Sequence, residues 1–251
     1  MRQGCISVDR ILDRLDGYLN KNDYNSAERH LLYWLSEAQG GGDARTELLI
    51  RNELMGLYRK LGKKQQAIDV AQAAVNKITE LNIGNQVGTA TTFLNTATVY
   101  KAFDMADKAL PMFERAKEIY ERDLKPDDSR LAGLYNNMAL ALVDLKEFAR
   151  ANELYEKALS ITESSEKGAL ERAITYLNMA SAAEAELGLI EADERIAEFL
   201  EKAEALIEGH ENRDGYYAFV CEKCASVFEY YGLFFYGEEL KERARRIYEG
   251  T

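Results

Sequence analysis

Small residues recur along this chain at nearly equal steps, and each lies in a segment with the apolar spacing of a helix. The steps between them are 40, 42, 42, 41 and 45 residues. The residues are Ala27, Ala67, Ala109, Ala151, Ala192 and Gly237. A period of this length indicates one supersecondary unit that is repeated, because each unit buries its apolar face on its neighbours. The period therefore predicts a repeat array and not a fold around a single core.

Turn residues show where the helical segments end. One series of breaks separates the repeats, as at Gly40–Gly42 and Gly209–Gly215, and a second falls inside each repeat, as at Gly62 and Lys146. Between the breaks, apolar residues recur at helical spacing, which predicts an all-α protein of about six antiparallel helix pairs. We expect these pairs to form a single domain over 1–251. The expected repeats are 6–40, 44–82, 86–125, 128–164, 167–209 and 214–250.

The fourth repeat shows the pattern most clearly and resembles a known family. Its first helix reads LYNNMALAL (134–142) and its second reads EFARANELYEKAL (147–159). These stretches resemble the tetratricopeptide repeat (TPR), in the longer variant found in kinesin light chains. The resemblance covers nearly the whole chain, although the tryptophan and proline that often open and close such repeats are absent from the expected places. It implies a right-handed α-solenoid whose first helices line a concave groove, and a scaffold that binds proteins or peptides.

Composition and charge narrow the class of partner. The chain has 43 acidic and 32 basic residues, a formal net charge of −11. Such a chain repels phosphate groups, so we expect neither a nucleic-acid nor a membrane partner. The N-terminus has no apolar core of a signal peptide, no stretch is apolar enough to span a bilayer, and three cysteines do not suggest a disulfide framework. We therefore expect a cytoplasmic protein without a cofactor.

The first helices of the third, fourth and fifth repeats contain uncharged stretches. Residues 89–100, 131–143 and 173–183 contain no Asp, Glu, Lys or Arg, whereas the second helices of these repeats are rich in charge. A charged helix face is ordinarily a solvated face. If the first helices line a groove, as the resemblance implies, the wall of that groove is uncharged.

Three asparagines share one register on these uncharged stretches. Asn95, Asn137 and Asn178 each lie two residues before an alanine. An amide offers both donors and an acceptor, so a row of amides can pair with the backbone of an extended peptide. The alternative is that the asparagines bond to one another or to neighbouring backbone and fix the stacking of the repeats. Other polar residues on the same helices complete the predicted peptide-binding set: Asn136, Thr91, Thr98 and Ser181.

The segment Cys221-Glu-Lys-Cys224 is the strongest candidate for a chemical site. A CxxC pair can be a redox centre or half of a zinc site, but only Cys5, His30 and His210 remain as further cysteine or histidine ligands. The repeat register places both cysteines at interior positions, where cysteine packs as a small hydrophobe. We expect core residues here, with a metal or redox role as the alternative. The chain also lacks a phosphate loop, an HExxH motif and a nucleophile elbow, so we expect no enzyme.

The last repeat is rich in aromatic residues, and not all of them can face its core. They are Tyr216, Tyr217, Phe219, Phe228, Tyr230, Tyr231, Phe234, Phe235 and Tyr236. An exposed apolar end favours association. A homodimer through this repeat is therefore an alternative to a monomer.

These features predict a non-catalytic scaffold that holds an extended peptide or a partner segment in its groove. Side-chain pockets between neighbouring repeats would select the peptide. The alternative is a peptide-responsive regulator that switches a second protein. Bacterial regulators that resemble this array often carry an N-terminal DNA-binding helix-turn-helix, but the repeat pattern begins close to Met1, so we expect no DNA-binding domain.

Overall fold

The computed structural model describes residues 7–163 and 168–250, and this part of the chain contains twelve α-helices and no strand. Successive helices form pairs, so each odd-numbered helix is the first of its pair and each even-numbered helix the second. Cys5 and the expected turn residues 164–167 lie outside the described residues. The helices are α1 (Val8–Leu19), α2 (Tyr24–Gly41), α3 (Ala44–Lys60), α4 (Lys64–Glu80), α5 (Val87–Ala102), α6 (Ala106–Asp123), α7 (Ser129–Asp144), α8 (Phe148–Glu163), α9 (Gly168–Leu187), α10 (Asp193–Glu208), α11 (Gly215–Tyr230) and α12 (Phe234–Glu249).

The recurring small residues are buried in every repeat. The five alanines have no exposed surface, and Gly237 of α12 is buried as well. A Cβ atom at Gly237 would lie 2.4 Å from Glu229 Cγ and 2.9 Å from the carbonyl oxygen of Ala225, both on α11. The helices of the last pair therefore approach more closely than a side chain at this position would allow.

Each turn between the two helices of a pair contains one residue in the left-handed region of backbone conformation. These residues are Asn22, Gly62, Asp104, Lys146, Gly188 and Gly232, with φ between 54° and 89°. They are the central residues of the turns that the sequence predicts inside the repeats, and they recur with the same period as the small residues. A left-handed residue ends a helix with its last carbonyl groups satisfied, which glycine does at little cost and a lysine does against steric repulsion.

The contacts between helices group them into two compact units, Met1–Asp123 and Leu124–Thr251. In the first unit each helix packs on the next, and α3 also packs on α5. In the second unit α9 packs on α7 and α11 in addition to α8 and α10. Neighbouring first helices within a unit are thus α3 and α5 in the first, and α7, α9 and α11 in the second. That all six pairs form one domain stays a prediction.

The second helices carry ion pairs on their exposed faces. On α10, Lys202 Nζ lies 2.5 Å from Glu198 Oε1, and on α12, Arg245 Nη2 lies 2.6 Å from Glu242 Oε2. Exposed pairs of this kind stabilise a fold by at most about 1 kcal/mol each. None of the helices in residues 7–163 and 168–250 combines the length and the apolar character needed to cross a bilayer.

Candidate functional site

In the first unit, polar side chains on two neighbouring first helices bond to one another. Asn95 of α5 donates from Nδ2 to Asn52 Oδ1 of α3 at 3.1 Å. Asn52 donates in turn from Nδ2 to Thr92 Oγ1 of α5, also at 3.1 Å. Thr92 is buried, and both asparagines are half-buried. We name Asn52, Thr92 and Asn95 the first triad; it is closed, because the acceptor asparagine also donates to a second member.

The second unit repeats these residue types at corresponding positions of its first helices. Asn178 of α9 donates from Nδ2 to Asn136 Oδ1 of α7 at 3.0 Å. Thr175 precedes Asn178 by three residues, as Thr92 precedes Asn95. The Thr175 hydroxyl instead donates to the backbone carbonyl of Glu171 at 2.9 Å, within its own helix. Asn136, Thr175 and Asn178 form the second triad. It is open, because Asn136 Nδ2 has no hydrogen-bond partner among the described residues.

The second triad lines a cavity of about 190 Å³, bounded mainly by the first helices α7, α9 and α11. Asn137 of α7 also lines it. Its Nδ2 donates to the carbonyl oxygen of Gly133 at 2.7 Å in the same helix, and its side-chain carbonyl has no partner in the described part of the chain. The cavity therefore offers an amide donor from Asn136 and an amide acceptor from Asn137.

Asn137 shares the register of Asn95 and Asn178 but does not share their bond. Each of those residues donates to an asparagine on the preceding first helix of its own unit, Asn52 or Asn136. The side chain of Asn137 bonds to its own helix, and the inter-helix pairing in the second unit runs through Asn136.

One carboxylate and two aromatic rings complete the wall of the cavity. Tyr216 and Phe219 of α11 stack with ring centroids 6.2 Å apart and stay 43% and 48% exposed. Burial raises the pKa of the Glu171 carboxyl above its usual value. Burial, with the nearby Glu171 charge, raises the pKa of Tyr216 to about 12. Glu171 has no ion-pair or side-chain hydrogen-bond partner among the described residues, and Lys223 of α11 lines the same cavity.

The remaining predicted residues bond inside their own helix pairs. Thr98 and Ser181 donate their hydroxyls to the carbonyls four residues earlier, at 2.7 and 3.3 Å. Thr91 of α5 shares a hydrogen bond of 2.7 Å with the Tyr120 hydroxyl of α6. Of the seven predicted residues, the structure brings Asn136, Asn137 and Asn178 to one cavity and places Asn95, Thr91 and Thr98 in the other unit. Ser181 lies on α9 outside the cavity wall.

The sequence prediction omitted the threonine of each triad, although the sequence repeats it. Thr92-Phe-Leu-Asn95 and Thr175-Tyr-Leu-Asn178 are the same motif with an aromatic exchange. Asn52 and Asn136 also share a register, since the two lie 84 residues, two repeat steps, apart. Glu171 was overlooked because it lies just before the uncharged stretch 173–183. The wall is thus uncharged along the helix centres but carries a carboxylate at its edge.

Both cysteines of the CxxC segment are core residues. Cys221 and Cys224 are 0% and 1% exposed on α11. Burial raises the pKa of both thiols, that of Cys224 to about 12, so the thiolate needed for metal binding or redox exchange is disfavoured. Among residues 7–163 and 168–250, no three His, Cys, Asp or Glu side chains are placed to hold a metal ion.

The aromatic residues of the last repeat divide between its core and its surface. Tyr217 and Phe228 are fully buried, whereas Tyr230, Phe234 and Phe235 are 67%, 64% and 95% exposed. The exposed residues lie around the turn between α11 and α12. This end of the chain therefore presents apolar surface to solvent.

The net charge of the protein resides entirely in the second unit. Residues 124–251 contain 26 acidic and 15 basic residues, which gives −11, whereas residues 1–123 contain 17 of each. A cation near the second unit therefore experiences an attractive field that the first unit does not generate.

Known proteins show the same repeat and the same fold. Two family models of the tetratricopeptide repeat match residues 46–122 and 131–165. No curated protein matches the sequence. Among solved structures, BtubC (BKLC) from P. vanneervenii is similar with a TM-score of 0.59 and 20% identity, over 92% of this chain and 91% of that one.

Two further structures extend this similarity. A kinesin-light-chain-like protein of Podospora anserina with nearly identical TPR-like repeats has a TM-score of 0.54 and 18% identity, over 81% of this chain and 95% of that one. A Rap protein complexed with Competence and Sporulation Factor has a TM-score of 0.55 and 14% identity, over 94% and 73%. At such identities the likeness establishes the fold, an all-α repeat solenoid. With the helix pairs and the two matched family models, the chain is a protein of tetratricopeptide repeats, matched over residues 46–122 and 131–165.

Proposed function

We propose that this scaffold binds an extended peptide, or a segment of a partner protein, in the cavity of its second unit. The observation that supports the proposal is the open second triad. Asn136 and Asn137 present an unpaired amide donor and an unpaired amide acceptor at the same cavity. Polar groups of this kind, when half-buried, gain from a ligand that completes their hydrogen bonds.

The chemistry of the proposed contact is non-covalent. Asn136 Nδ2 donates to a carbonyl of the peptide backbone, and Asn137 Oδ1 accepts from a peptide N–H. Each such bond contributes about 0.5–1.5 kcal/mol net, so the amides orient the peptide and apolar contacts supply most of the affinity. Leu140 and Ile174 line the cavity and provide such contacts. Contact of a peptide with Asn95, Thr91, Thr98 or Ser181 stays a prediction, since these side chains bond within their own units.

The experiment is selection of a phage-displayed random dodecapeptide library on the full chain, followed by affinity measurement with fluorescent peptides. Gly133→Leu provides the test variant, because a Cβ atom at this exposed cavity residue meets nothing within 4 Å. The leucine should fill the cavity without disturbing α7. Gly56→Leu on α3, equally exposed and unobstructed, is the matched control. We expect selected peptides to lose binding to Gly133→Leu only; peptides that bind both variants equally would contradict the proposal.

A peptide-responsive regulator is the second candidate. The similar Rap protein was solved in a complex with Competence and Sporulation Factor, which is the observation in favour of it. A regulator changes shape when its peptide binds, whereas a passive scaffold does not. Small-angle scattering with and without a saturating selected peptide distinguishes the two, since an unchanged radius of gyration contradicts the regulator.

We also propose that the exposed aromatic end favours self-association. Phe234 and Phe235 form the exposed start of α12, and an apolar patch of this kind favours contact with a second apolar surface. The charge of −11 on the same unit opposes contact between copies, so association should strengthen as salt screens the repulsion. Light scattering at rising protein and salt concentration checks this, with Phe235→Ser as the variant. A monomeric mass throughout would contradict it.

A further inference from the structure

Glu171 is a carboxylate without a cation of its own. It is half-buried at the cavity wall, and burial raises the pKa of its carboxyl. Glu208 in the same unit differs, because Arg243 lies 2.6 Å away and its hydrogen bond lowers the pKa of that carboxyl. A partly desolvated carboxylate gains most from a ligand that brings positive charge.

The stacked rings of Tyr216 and Phe219, at the same cavity as Glu171, resemble a second stacked pair in this unit, which a lysine contacts. Tyr176 and Phe199 stack at 6.1 Å with an interplanar angle of 22°, and Tyr216 and Phe219 stack at 6.2 Å with the same angle. Lys202 Nζ lies 5.4 Å from the Tyr176 ring centroid and 5.9 Å from that of Phe199. Its ammonium also pairs with the Glu198 carboxylate at 2.5 Å. The chain thus contains a complete site of two rings, one carboxylate and one cation.

At the cavity, the rings and the carboxylate are present without a lysine bonded to that carboxylate. We propose that the cavity selects a lysine or arginine side chain of the bound peptide, with its cationic group between the Glu171 carboxylate and the Tyr216 and Phe219 rings. The inference rests on the proposed peptide-binding function and names the chemistry of its ligand. The second unit has a formal net charge of −11, and its electrostatic field also attracts a basic segment.

Lys223 is the opposing charge at this cavity. It is an exposed residue of α11, one helical turn after Phe219, and it has an interaction of its own. Glu171 is the more buried of the two and gains more from a new partner. Lys223 therefore weakens the preference for a basic peptide residue but does not turn it into a preference for an acidic one.

The experiment compares the composition of peptides selected from the random dodecapeptide library by four versions of the full chain. They are the wild type, Glu171→Gln, Lys223→Gln and Glu222→Gln. Glu222 is the matched control, because it is an exposed carboxylate of α11 outside the cavity wall, and its charge contributes to the raised pKa of Tyr248 on α12. Affinities are then measured for one selected peptide and for its version with the basic residue replaced by glutamine. Circular dichroism confirms that each variant is folded.

We expect the wild type to enrich one basic position. Because a hydrogen bond to a charged group is stronger than one to a neutral group, Glu171→Gln should bind the basic peptide roughly tenfold more weakly than the wild type does. The variant and the wild type should bind the glutamine version of the peptide with equal affinity. Glu222→Gln should behave as the wild type, and Lys223→Gln should keep or sharpen the preference. The inference would be overturned if the peptides blocked by Gly133→Leu lacked a basic position, or if the preference for a basic residue survived Glu171→Gln. Acidic peptides that depend on Lys223 would do so as well.

Failure of the proposed function gives a different result. In that case no selected peptide loses binding when Gly133→Leu fills the cavity, whatever its composition. If peptides are blocked by Gly133→Leu but carry no basic residue, the groove function stands and only the selection by Glu171 is wrong.

Discussion

Within each unit, the same three residue types lie on two neighbouring first helices, but their hydrogen bonds differ between the units. In the first triad, Asn52 accepts from Asn95 and donates to Thr92. In the second, Asn136 accepts from Asn178, while the Thr175 hydroxyl bonds to its own helix. The amide pair recurs in both units, as we expect of a bond that helps to stack the repeats. The open donor occurs only beside a cavity, so it is the better guide to a binding site.

The units also differ in charge. The first is formally neutral and the second carries −11. Half-buried carboxylates without an ion pair among the described residues occur in both units, Glu53 in the first and Glu171 in the second. Glu171, however, lies at the same cavity as the open donor. This combination is not explained by the repeat itself. This contrast favours the second unit as the place where the chain contacts its partner.

The largest expected effect is on peptide affinity. The double variant Asn136→Ala, Asn137→Ala removes the unpaired donor and the unpaired acceptor of the cavity, and we expect peptides that Gly133→Leu blocks to bind about tenfold more weakly, because two hydrogen bonds contribute about 1–3 kcal/mol. The matched variant Asn52→Ala, Asn95→Ala in the first unit should leave affinity unchanged. Fluorescence polarisation with one selected peptide measures both. Equal losses in the two variants would show that the closed and open triads do not differ in function.

The next effect is on the free energy of unfolding, where substitution in the first triad should cost more than substitution in the second. Asn52→Ala removes two hydrogen bonds and leaves Thr92 buried without that donor, so it should cost about 1–3 kcal/mol. Asn136→Ala removes one bond and should cost about 0.5–1.5 kcal/mol. Urea unfolding followed by circular dichroism compares the variants. Trp34, the single tryptophan, lies on α2 and reports the first unit by fluorescence. A larger loss for Asn136→Ala would refute the distinction between the triads.

The fold follows closely from the sequence, because it depends on period and on turn chemistry. The small residues and the left-handed residues recur at nearly the same steps. The small residues lie where two helices of a pair approach closely, and the left-handed residues lie where a turn ends the first helix. The site follows only in part. Register shows that Asn95 and Asn178 are equivalent, but it does not show which acceptor a hydroxyl such as Thr175 selects. Nor does it show that Glu171 lacks a cation, since ion pairing depends on side chains from several helices.

A smaller effect concerns the pH dependence of stability in the second unit. The folded state raises the pKa of Glu171 above the ordinary value near 4.5, so the folded state holds this proton more tightly than the unfolded state. As pH rises through that value the wild type loses stability relative to Glu171→Gln. The variant should therefore be the more stable one at pH 7, by under about 1 kcal/mol because the group is partly solvated, and the gain should vanish below pH 4.

Glu208→Gln is the control with the opposite sign. The hydrogen bond from Arg243 lowers the pKa of Glu208, so its carboxylate stabilises the folded state above the ordinary pKa, and that contribution is lost as pH falls. Glu208→Gln should thus be destabilised at pH 7 and approach the wild type in acid. Thermal unfolding between pH 4 and 7 measures both variants. If Glu171→Gln and Glu208→Gln shift in the same direction, the carboxylate of Glu171 is not a cost that a ligand could remove.

The smallest effect distinguishes the turns of the two units. Asp104 in the first unit and Lys146 in the second both have left-handed backbones, with φ of 61° and 62°. Lysine meets a steric cost of about 1–2 kcal/mol there, whereas aspartate offsets part of it through local hydrogen bonds. Lys146→Gly should therefore stabilise the chain by about 0.5 kcal/mol, after the greater freedom of glycine in the unfolded chain is subtracted, and Asp104→Gly should gain less. Urea midpoints at constant slope measure the difference. A larger gain for Asp104→Gly would show that the exposed Lys146 side chain forms contacts that outweigh its backbone strain.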